Sequence, residues 1–236
     1  MTMKLIKVDR VRSVAEAVAV EELGAGMVGV ALDADPRFAD ERAVPVDLAG
    51  EIGKALSRAK FVVEVDFRDD PVDALRRAEA LRPDLVQPIT GAIPPGDVRA
   101  ALSRAGIGIV YGGIEIAHDD DPTWTLSRYP DTPALGAALF QVDVLPECRN
   151  SWEFLRDESP EFEDEFQLDD LNELGRTHEL VASLNFTPRN APEIVAALPG
   201  VRGVALALAD HATRQDLHFL RYDAALEVLR ALQRST

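Results

Sequence analysis

Residues 5–32 read LIKVDRVRSVAEAVAVEELGAGMVGVAL, and the fold prediction begins with them. An apolar run at 5–8 is followed by a helix-like segment at 14–23 and then by a second apolar run at 27–32. A short buried strand, a helix and another buried strand in this order predict a parallel β-α-β unit with a right-handed crossover.

The same alternation continues along the rest of the chain. Further strands are predicted at 61–65, 84–87, 107–111, 138–142, 179–183 and 203–208, and further helices at 45–58, 71–81, 96–104, 188–198 and 222–233. Eight such units within 236 residues predict one α/β domain spanning 1–236, a closed (β/α)8 TIM barrel. The alternative is an open doubly wound sheet, in which a glycine-rich loop usually follows the first strand. In this chain that position holds Val8-Asp9-Arg10-Val11, so the glycine-rich loop is absent.

One segment, at about 150–175 after the sixth strand, interrupts the alternation with an acidic insertion. It also contains four aromatic residues: Trp152, Phe154, Phe162 and Phe166. A solvated loop with a short helix is one interpretation of this composition. A lid that packs over the barrel mouth is the other, because a solvated loop has little use for so many aromatic side chains.

Composition excludes several classes of partner. The formal net charge of −16 argues against binding to nucleic acid or to an anionic membrane surface. No stretch approaches the roughly 20 apolar residues of a membrane span, and the N-terminus lacks the pattern of a signal peptide. Cys148 is the only cysteine, so the chain cannot form an internal disulfide. We therefore expect a cytoplasmic protein that acts on a small molecule; its oligomeric state is left open.

Several fragments, in order along nearly the whole chain, resemble phosphoribosylanthranilate isomerase, the barrel enzyme of the tryptophan pathway. Lys7-Val8-Asp9-Arg10-Val11 is similar to the family's opening K-I-C-G-I, and 24–29 is similar to its G-A-D-x-x-G. Asp35-Pro36-Arg37-Phe38 is similar to S-x-R-Y, and Leu85-Val86-Gln87 to the start of V-Q-L-H. Val142-Asp143 matches an L-D pair at the end of strand six, and 185–194 is similar to G-L-x-P-E-N-V-x-x-A-I. The resemblance implies a barrel and an isomerase-like activity.

The chain also departs from this pattern at functional positions. Asp9 stands in place of the family's catalytic cysteine, Arg10 in place of the following glycine, and Pro88 in place of a histidine. The paired glycines after strand seven, which let backbone N–H groups reach a phosphate, are Leu184 and Asn185. The small residues after strand eight are replaced by 206–211, which includes Asp210. Larger side chains and a carboxylate oppose an anion there, so we predict that the phosphate site is lost.

Asp9 and Asp143 are the predicted catalytic pair. The resemblance aligns them with the family's general base and general acid, and an aldose-to-ketose (Amadori) rearrangement needs both functions. We expect Asp143 to be the more buried of the two, and Asp9 to be ionised with help from Lys7 or Arg10. The alternative is that both are ordinary polar residues that end strands.

The predicted substrate-binding residues surround this pair. Arg37 matches an arginine that faces a substrate carboxylate in the family; the alternative is a surface ion pair with Asp35, Asp40 or Glu41. The other four predicted substrate contacts occupy strand-end positions: Arg10, Gln87, Asn185 and Asp210.

Further acidic residues fall at predicted strand ends, and we expect Asp9, Asp66, Glu115, Asp143 and Asp210 to lie together at the carboxyl-end face. No tight ligand spacing indicates a metal, and we predict neither a metal nor a cofactor. Two functions remain open. One is an acid–base isomerase that acts on a small metabolite other than the usual phosphoribosyl substrate. The other is a catalytically inactive barrel that serves as a binding or assembly protein.

Overall fold

The strands form a closed ring. A computed structural model describes residues 4–38, 42–129, 132–211 and 218–234. Eight parallel strands pair in chain order, and the last pairs with the first. The predicted (β/α)8 barrel is confirmed, and the open sheet is wrong. Within these residues, no helix is long and apolar enough to cross a membrane.

The strands are β1 (Leu5–Asp9), β2 (Met27–Ala31), β3 (Lys60–Val65), β4 (Leu85–Pro88), β5 (Gly108–Ile116), β6 (Ala137–Val144), β7 (Leu180–Ser183) and β8 (Gly203–Ala207). The helices are α1 (Val14–Glu22), α2 (Val46–Ala55), α3 (Pro71–Leu81), α4 (Gly96–Arg104), α5 (Thr132–Leu135), α6 (Ser151–Glu153), α7 (Leu168–Thr177), α8 (Ala191–Ala197) and α9 (Tyr222–Arg234). Short helical turns lie at Ile89–Gly91, Phe154–Glu158 and Ser159–Glu161.

Local sequence rules account for most of these boundaries. The Ser13 side chain caps α1 by accepting the Glu16 N–H, and the Asp70 side chain caps α3 in the same way. The main difference from prediction is in β5, which does not end at Tyr111 but continues to Ile116. The pairing with β6 shifts between Tyr111 and Ile114, where Gly113 has a φ of +71°. A bulge at this glycine lets the strand continue.

The barrel interior is built in layers, because side chains alternate between the two faces of each strand. The layer nearest the amino ends of the strands is apolar: Met27, Val62, Leu85, Val110, Leu139, Val181 and Ala205, with Leu5 packed against it. Two residues further along, the same strands contribute the next layer, which contains five polar side chains: Lys7, Glu64, Gln87, Gln141 and Ser183. The charged and amide groups therefore lie on an apolar floor, directly below the mouth.

The Lys7 ammonium lies inside this polar layer and is fully buried. It contacts the Asp9 carboxylate and donates to Gln87 Oε1 and Gln141 Oε1, each at 2.8 Å. An ammonium has three N–H donors, and these three acceptors satisfy them. The prediction that Lys7 reaches Asp9 is confirmed.

Glu64 lies beside Asp9 in the interior. A Cβ on Gly29 would lie 2.4 Å from Asp9 Oδ1 and 3.0 Å from Glu64 Oε1, so both carboxyl groups flank the space that this glycine leaves open. Burial, followed by the charge of Asp9, raises the pKa of Glu64 to about 7. The glycine therefore makes room for two adjacent carboxyl groups, one of which binds a proton near neutral pH.

The predicted cluster of acids at one face is confirmed. Asp9 ends β1, Glu115 and Asp143 lie one residue from the ends of β5 and β6, and Asp66 follows β3 directly. Asp210 follows β8 at the same face.

The acidic segment 150–175 is more firmly packed than either interpretation of its sequence expected. Trp152 and Phe166 belong to the hydrophobic core, whereas Phe162 is 56% exposed. The Ser159 hydroxyl donates to the Phe166 carbonyl, and the Phe166 N–H donates to the His118 carbonyl at 2.7 Å. A mobile lid would have to pull these aromatic groups out of the core, so the segment is an integral part of the barrel wall.

Replacing Glu64 by Gln should change how stability depends on pH. Because the pKa of Glu64 is raised on folding, wild-type stability should fall as pH rises from about 4.5 to about 7. A glutamine side chain does not titrate, so the Glu64→Gln variant should gain up to about 3 kcal/mol relative to wild type at pH 8 and nothing at about pH 4.5. Urea denaturation across this range measures the difference. The exposed Glu51→Gln change is the control and should show no such trend; a flat difference for Glu64→Gln would contradict the assignment.

Phe166→Ala should destabilise the barrel by about 3–5 kcal/mol, because the ring is 1% exposed and its removal leaves a cavity. Phe162→Ala, in the same segment, should cost less than about 0.5 kcal/mol because that ring is exposed. Denaturant unfolding of both variants compares the two positions. Equal, small losses would restore the lid interpretation.

Candidate active site

Asp9 lies at the floor of the mouth with its two carboxylate oxygens in different environments. Oδ1 contacts the Lys7 ammonium. Oδ2 is buried and has no hydrogen-bond partner among the residues that the structure describes. A buried carboxylate oxygen without a donor is costly, and such exceptions are concentrated at functional sites. Asp9 thus has one oxygen anchored by Lys7 and one buried oxygen without a hydrogen-bond partner among the described residues.

Arg10 adopts a left-handed backbone conformation, with a φ of +64°, at the position where the resembled family has glycine. This conformation is strained for a residue with a Cβ. The surrounding contacts hold it in place: the Arg10 N–H donates to Glu64 Oε1, its Nε donates to the Leu208 carbonyl, and its guanidinium lies over the Phe38 ring. These contacts fix Arg10 in place, and its role in substrate binding stays a prediction.

Arg37 forms both an ion pair and part of the mouth. Its Nε and Nη2 donate to the Asp35 carboxylate at 2.7–3.1 Å, which confirms the ion pair with Asp35. Burial alone would lower the pKa of Arg37, but Asp35 and the charges of Glu64 and Asp143 raise it. The guanidinium is therefore held close to both carboxyl groups by Asp35. The alternative partners Asp40 and Glu41 lie outside the described residues.

Asp143 contacts His218, a residue that the sequence analysis did not select. Asp143 Oδ1 lies against His218 Nδ1, and His218 Nε2 lies 3.2 Å from Asn185 Oδ1. Asn185 Oδ1 also accepts the Ser151 backbone N–H at 2.7 Å, and the Ser151 hydroxyl accepts the Asn185 N–H at 3.1 Å. The structure thus joins β6, the loop after β7 and the chain between β8 and α9 at one point of the mouth.

The expected order of burial within the catalytic pair is wrong. The Asp9 side chain is 3% exposed and the Asp143 side chain 13%. Asp9 points from the end of β1 toward the interior lysine, whereas Asp143 is nearer the rim and contacts a loop residue. The two aspartates belong to strands that are separated by β7 and β8 around the ring.

The remaining predicted substrate contacts divide between the interior and the rim. Gln87 is buried below the mouth, where its Oε1 accepts from Lys7. Asp210 is 41% exposed at the rim and pairs with Arg12. The structure brings Asp9, Arg37, Asp143 and Asn185 together with Glu64 and His218, and leaves Asp210 at the edge.

The backbone donors that would reach a phosphate in the resembled family are engaged within the protein. The Asn185 N–H donates to the Ser151 hydroxyl, the Leu208 N–H to the Asp9 carbonyl and the Ala209 N–H to the Leu220 carbonyl. The Leu184 and Leu208 side chains are buried close by. A phosphate would have to break these bonds in order to bind.

Other acidic groups at this face are paired with cations. Asp33 accepts from Arg77, Asp66 accepts from Arg68, and Glu147 contacts His118 at 3.0 Å. Among the described residues, no three His, Cys, Asp or Glu side chains form a group that could hold a metal ion.

The sequence analysis missed three polar residues of this region, and only two of them leave a recognisable pattern in the sequence. Glu64 and Gln141 each interrupt an apolar strand, and a charged or amide residue within a parallel strand already indicates an unusual interior. His218 gave no such indication. It lies 75 residues from Asp143 and 33 from Asn185 in the chain, and no local pattern marks it.

No protein-family model matches the sequence, and a search of curated protein sequences also gives no match. Solved structures do match. Phosphoribosylanthranilate isomerase from Thermotoga maritima aligns with a TM-score of 0.66 and 15% identity, over 98% of this chain and 100% of that chain. The Thermus thermophilus phosphoribosylanthranilate isomerase aligns with a TM-score of 0.64 and 18% identity, over 98% and 100%.

A thiamine phosphate pyrophosphorylase from Pyrococcus furiosus also aligns, with a TM-score of 0.54 and 18% identity, over 99% of this chain and 96% of that chain. Identities this low establish the fold and leave the activity open. The resemblance predicted from short sequence fragments is therefore confirmed at the level of the fold: the barrel is similar to that of phosphoribosylanthranilate isomerases over 98% of this chain.

Proposed function

We propose that this barrel is an acid–base isomerase that converts an aldose-type metabolite to its ketose form, with Asp9 as the base and Asp143 as the acid. The substrate is a small carbohydrate-derived or aromatic-acid compound other than the usual phosphoribosyl substrate, and the reaction takes place in the cytoplasm.

The observation that carries the proposal is the unequal pair of oxygens on Asp9. Lys7 contacts Oδ1 and favours the ionised carboxylate, while Oδ2 is buried without a described partner. A carboxylate can take a proton from carbon only if it is ionised and has an oxygen free to reach the C–H group. The contact of Oδ1 with Lys7 and the partnerless Oδ2 support Asp9 as this base.

The reaction also needs an acid that donates a proton to the substrate. During the rearrangement the ring oxygen takes a proton as its bond to C1 breaks. A lone pair on the oxygen or nitrogen attached to C1 replaces the broken bond with a double bond to C1. The C2–H electron pair then forms a C1=C2 double bond, the π electrons of the first double bond return to the heteroatom, and the base takes the C2 proton. Tautomerisation of the enol gives the ketone. Only protons move, so an acid and a base suffice, and Asp143 lies on the far side of β7 and β8 from Asp9.

Arg37 supports an anionic or strongly polar group on the substrate. Its guanidinium is 23% exposed and is held rigidly by Asp35, close to the charges of Glu64 and Asp143. A guanidinium fixed in this way favours a carboxylate or hydroxyl group of the substrate over bulk water. The occupied N–H groups of Asn185, Leu208 and Ala209 argue against a substrate that is anchored by phosphate.

Asp9→Asn and Asp143→Asn should each lower the rate on the order of a hundredfold or more, because each change keeps the shape and removes a proton-transfer group. The activity is detected by NMR in D2O as loss of the C2 proton signal. The substrates tested are a panel of unphosphorylated aldoses and N-aryl aldosylamines. Asp66→Asn is the matched control, since Asp66 lies at the same face but is paired with Arg68, and it should stay active. Full activity in both test variants would favour the binding-protein alternative.

Phosphoribosylanthranilate should be converted little or not at all, and inorganic phosphate should not bind in the loops after β7 and β8, because their backbone donors are already engaged. Complementation of a tryptophan auxotroph that lacks the isomerase tests the first point, and titration with phosphate followed by amide NMR tests the second. Robust growth of the complemented strain would show that the usual substrate is accepted.

A further inference from the structure

His218 connects to the candidate acid through both of its ring nitrogens. Nδ1 contacts Asp143 Oδ1, and Nε2 lies 3.2 Å from Asn185 Oδ1. The ring is 7% exposed, so the protein rather than solvent determines where its hydrogens lie. Each nitrogen of a neutral imidazole is either a donor or an acceptor, and the partner atoms decide which.

Ser151 fixes the orientation of the Asn185 amide. The Ser151 N–H donates to Asn185 Oδ1 at 2.7 Å. A reversed amide would place its NH2 group against this N–H, so the atom that faces His218 Nε2 is an oxygen. An amide oxygen only accepts, and His218 Nε2 must therefore carry a hydrogen.

With Nε2 protonated, one further proton is required between Nδ1 and Asp143. If it were absent, the lone pair of Nδ1 would face the lone pairs of an ionised carboxylate at contact distance, which is repulsive. A proton on either atom converts this contact into a strong hydrogen bond. The described charged groups nearby are Arg37, which feels the charge of Asp143, and Glu115, which pairs in register with Asp143 across β5 and β6.

We propose that Asp143, His218 and Asn185 form a proton-holding relay, in which His218 is a positioning residue that keeps a transferable proton on the Asp143 side of the mouth. The inference deepens the proposed isomerase function and rests on it for the direction of proton transfer. Asp143 passes the single proton of the Asp143–Nδ1 pair to the substrate oxygen, and the proton that leaves the C2 hydroxyl when the enol becomes the ketone restores it. The proton that Asp9 takes from carbon balances this transfer.

The chain between β8 and α9 supplies this residue and is fixed directly after it. Leu220 forms a bridge with Leu208, the Leu220 N–H donates to the Ala207 carbonyl, and the Ala209 N–H donates to the Leu220 carbonyl. These are the same backbone groups that leave the phosphate position without donors. The same stretch of chain thus engages these N–H groups and carries the His218 imidazole.

Nitrogen-15 NMR of the full-length protein with labelled histidine tests the relay without any substrate, so its outcome is independent of whether the isomerase activity is found. The chain has four histidines, and substitution of the other three by Gln assigns the His218 signals. At pH 7 we expect a doubly protonated ring, or an Nε2–H ring beside a protonated Asp143 carboxyl that carbon-13 shifts identify. An ionised Asp143 beside a neutral ring, in either tautomer, would overturn the proposal.

Two variants sharpen the result. Asp143→Asn offers Nδ1 an amide N–H, so the ring should lose one proton and become the neutral Nε2–H form. Asn185→Ala removes the acceptor that fixes Nε2 and should allow the Nδ1–H form to appear. Glu147→Gln is the matched control. In the wild type, the exposed pair of Glu147 with His118 raises the pKa of His118, and the substitution breaks this pair. The His218 signals should stay unchanged. A His218 ring that is doubly protonated in both the wild type and Asp143→Asn would also overturn the proposal.

Discussion

The barrel interior is arranged around the buried ammonium of Lys7. Removing a cation from water is costly unless every donor finds an acceptor, and here strands β1, β4 and β6 each supply one. The ammonium therefore links three strands across the barrel. It also fixes the direction of the Asp9 carboxylate, since Oδ1 faces the lysine and Oδ2 is left buried without a partner among the described residues.

The second carboxyl group follows from the first. Gly29 leaves space beside Asp9 that any side chain would fill, and Glu64 occupies it from the neighbouring strand. A single ammonium cannot fully compensate two buried carboxylates in this volume, and the pKa of Glu64 is raised to about 7 as a result. The interior thus holds one carboxyl group in contact with an ammonium and another that takes up a proton near neutral pH.

The barrel shares its fold with phosphoribosylanthranilate isomerases, whereas the mouth has contacts of its own. Arg10 has a left-handed backbone conformation that is natural for glycine, and its guanidinium and amide contacts offset the strain. In the loops after β7 and β8, the N–H groups of Asn185, Leu208 and Ala209 are engaged by Ser151, Asp9 and Leu220. Overall similarity of fold therefore carries little information about the substrate.

The fold, the order of the strands and the set of acids at the active face could all be predicted from the amino-acid sequence. Strands of period two and helices of period 3.6 are local patterns, and a closed parallel barrel then places every strand end at one face. The same period marks Lys7 and Asp9, or Gln141 and Asp143, as neighbours on the inner surface. Three features emerged from the folded chain alone: Asp9 is more buried than Asp143, Trp152 and Phe166 are core residues, and His218 contacts Asp143. These contacts join residues far apart in the chain, and no local pattern records where a loop returns to the barrel.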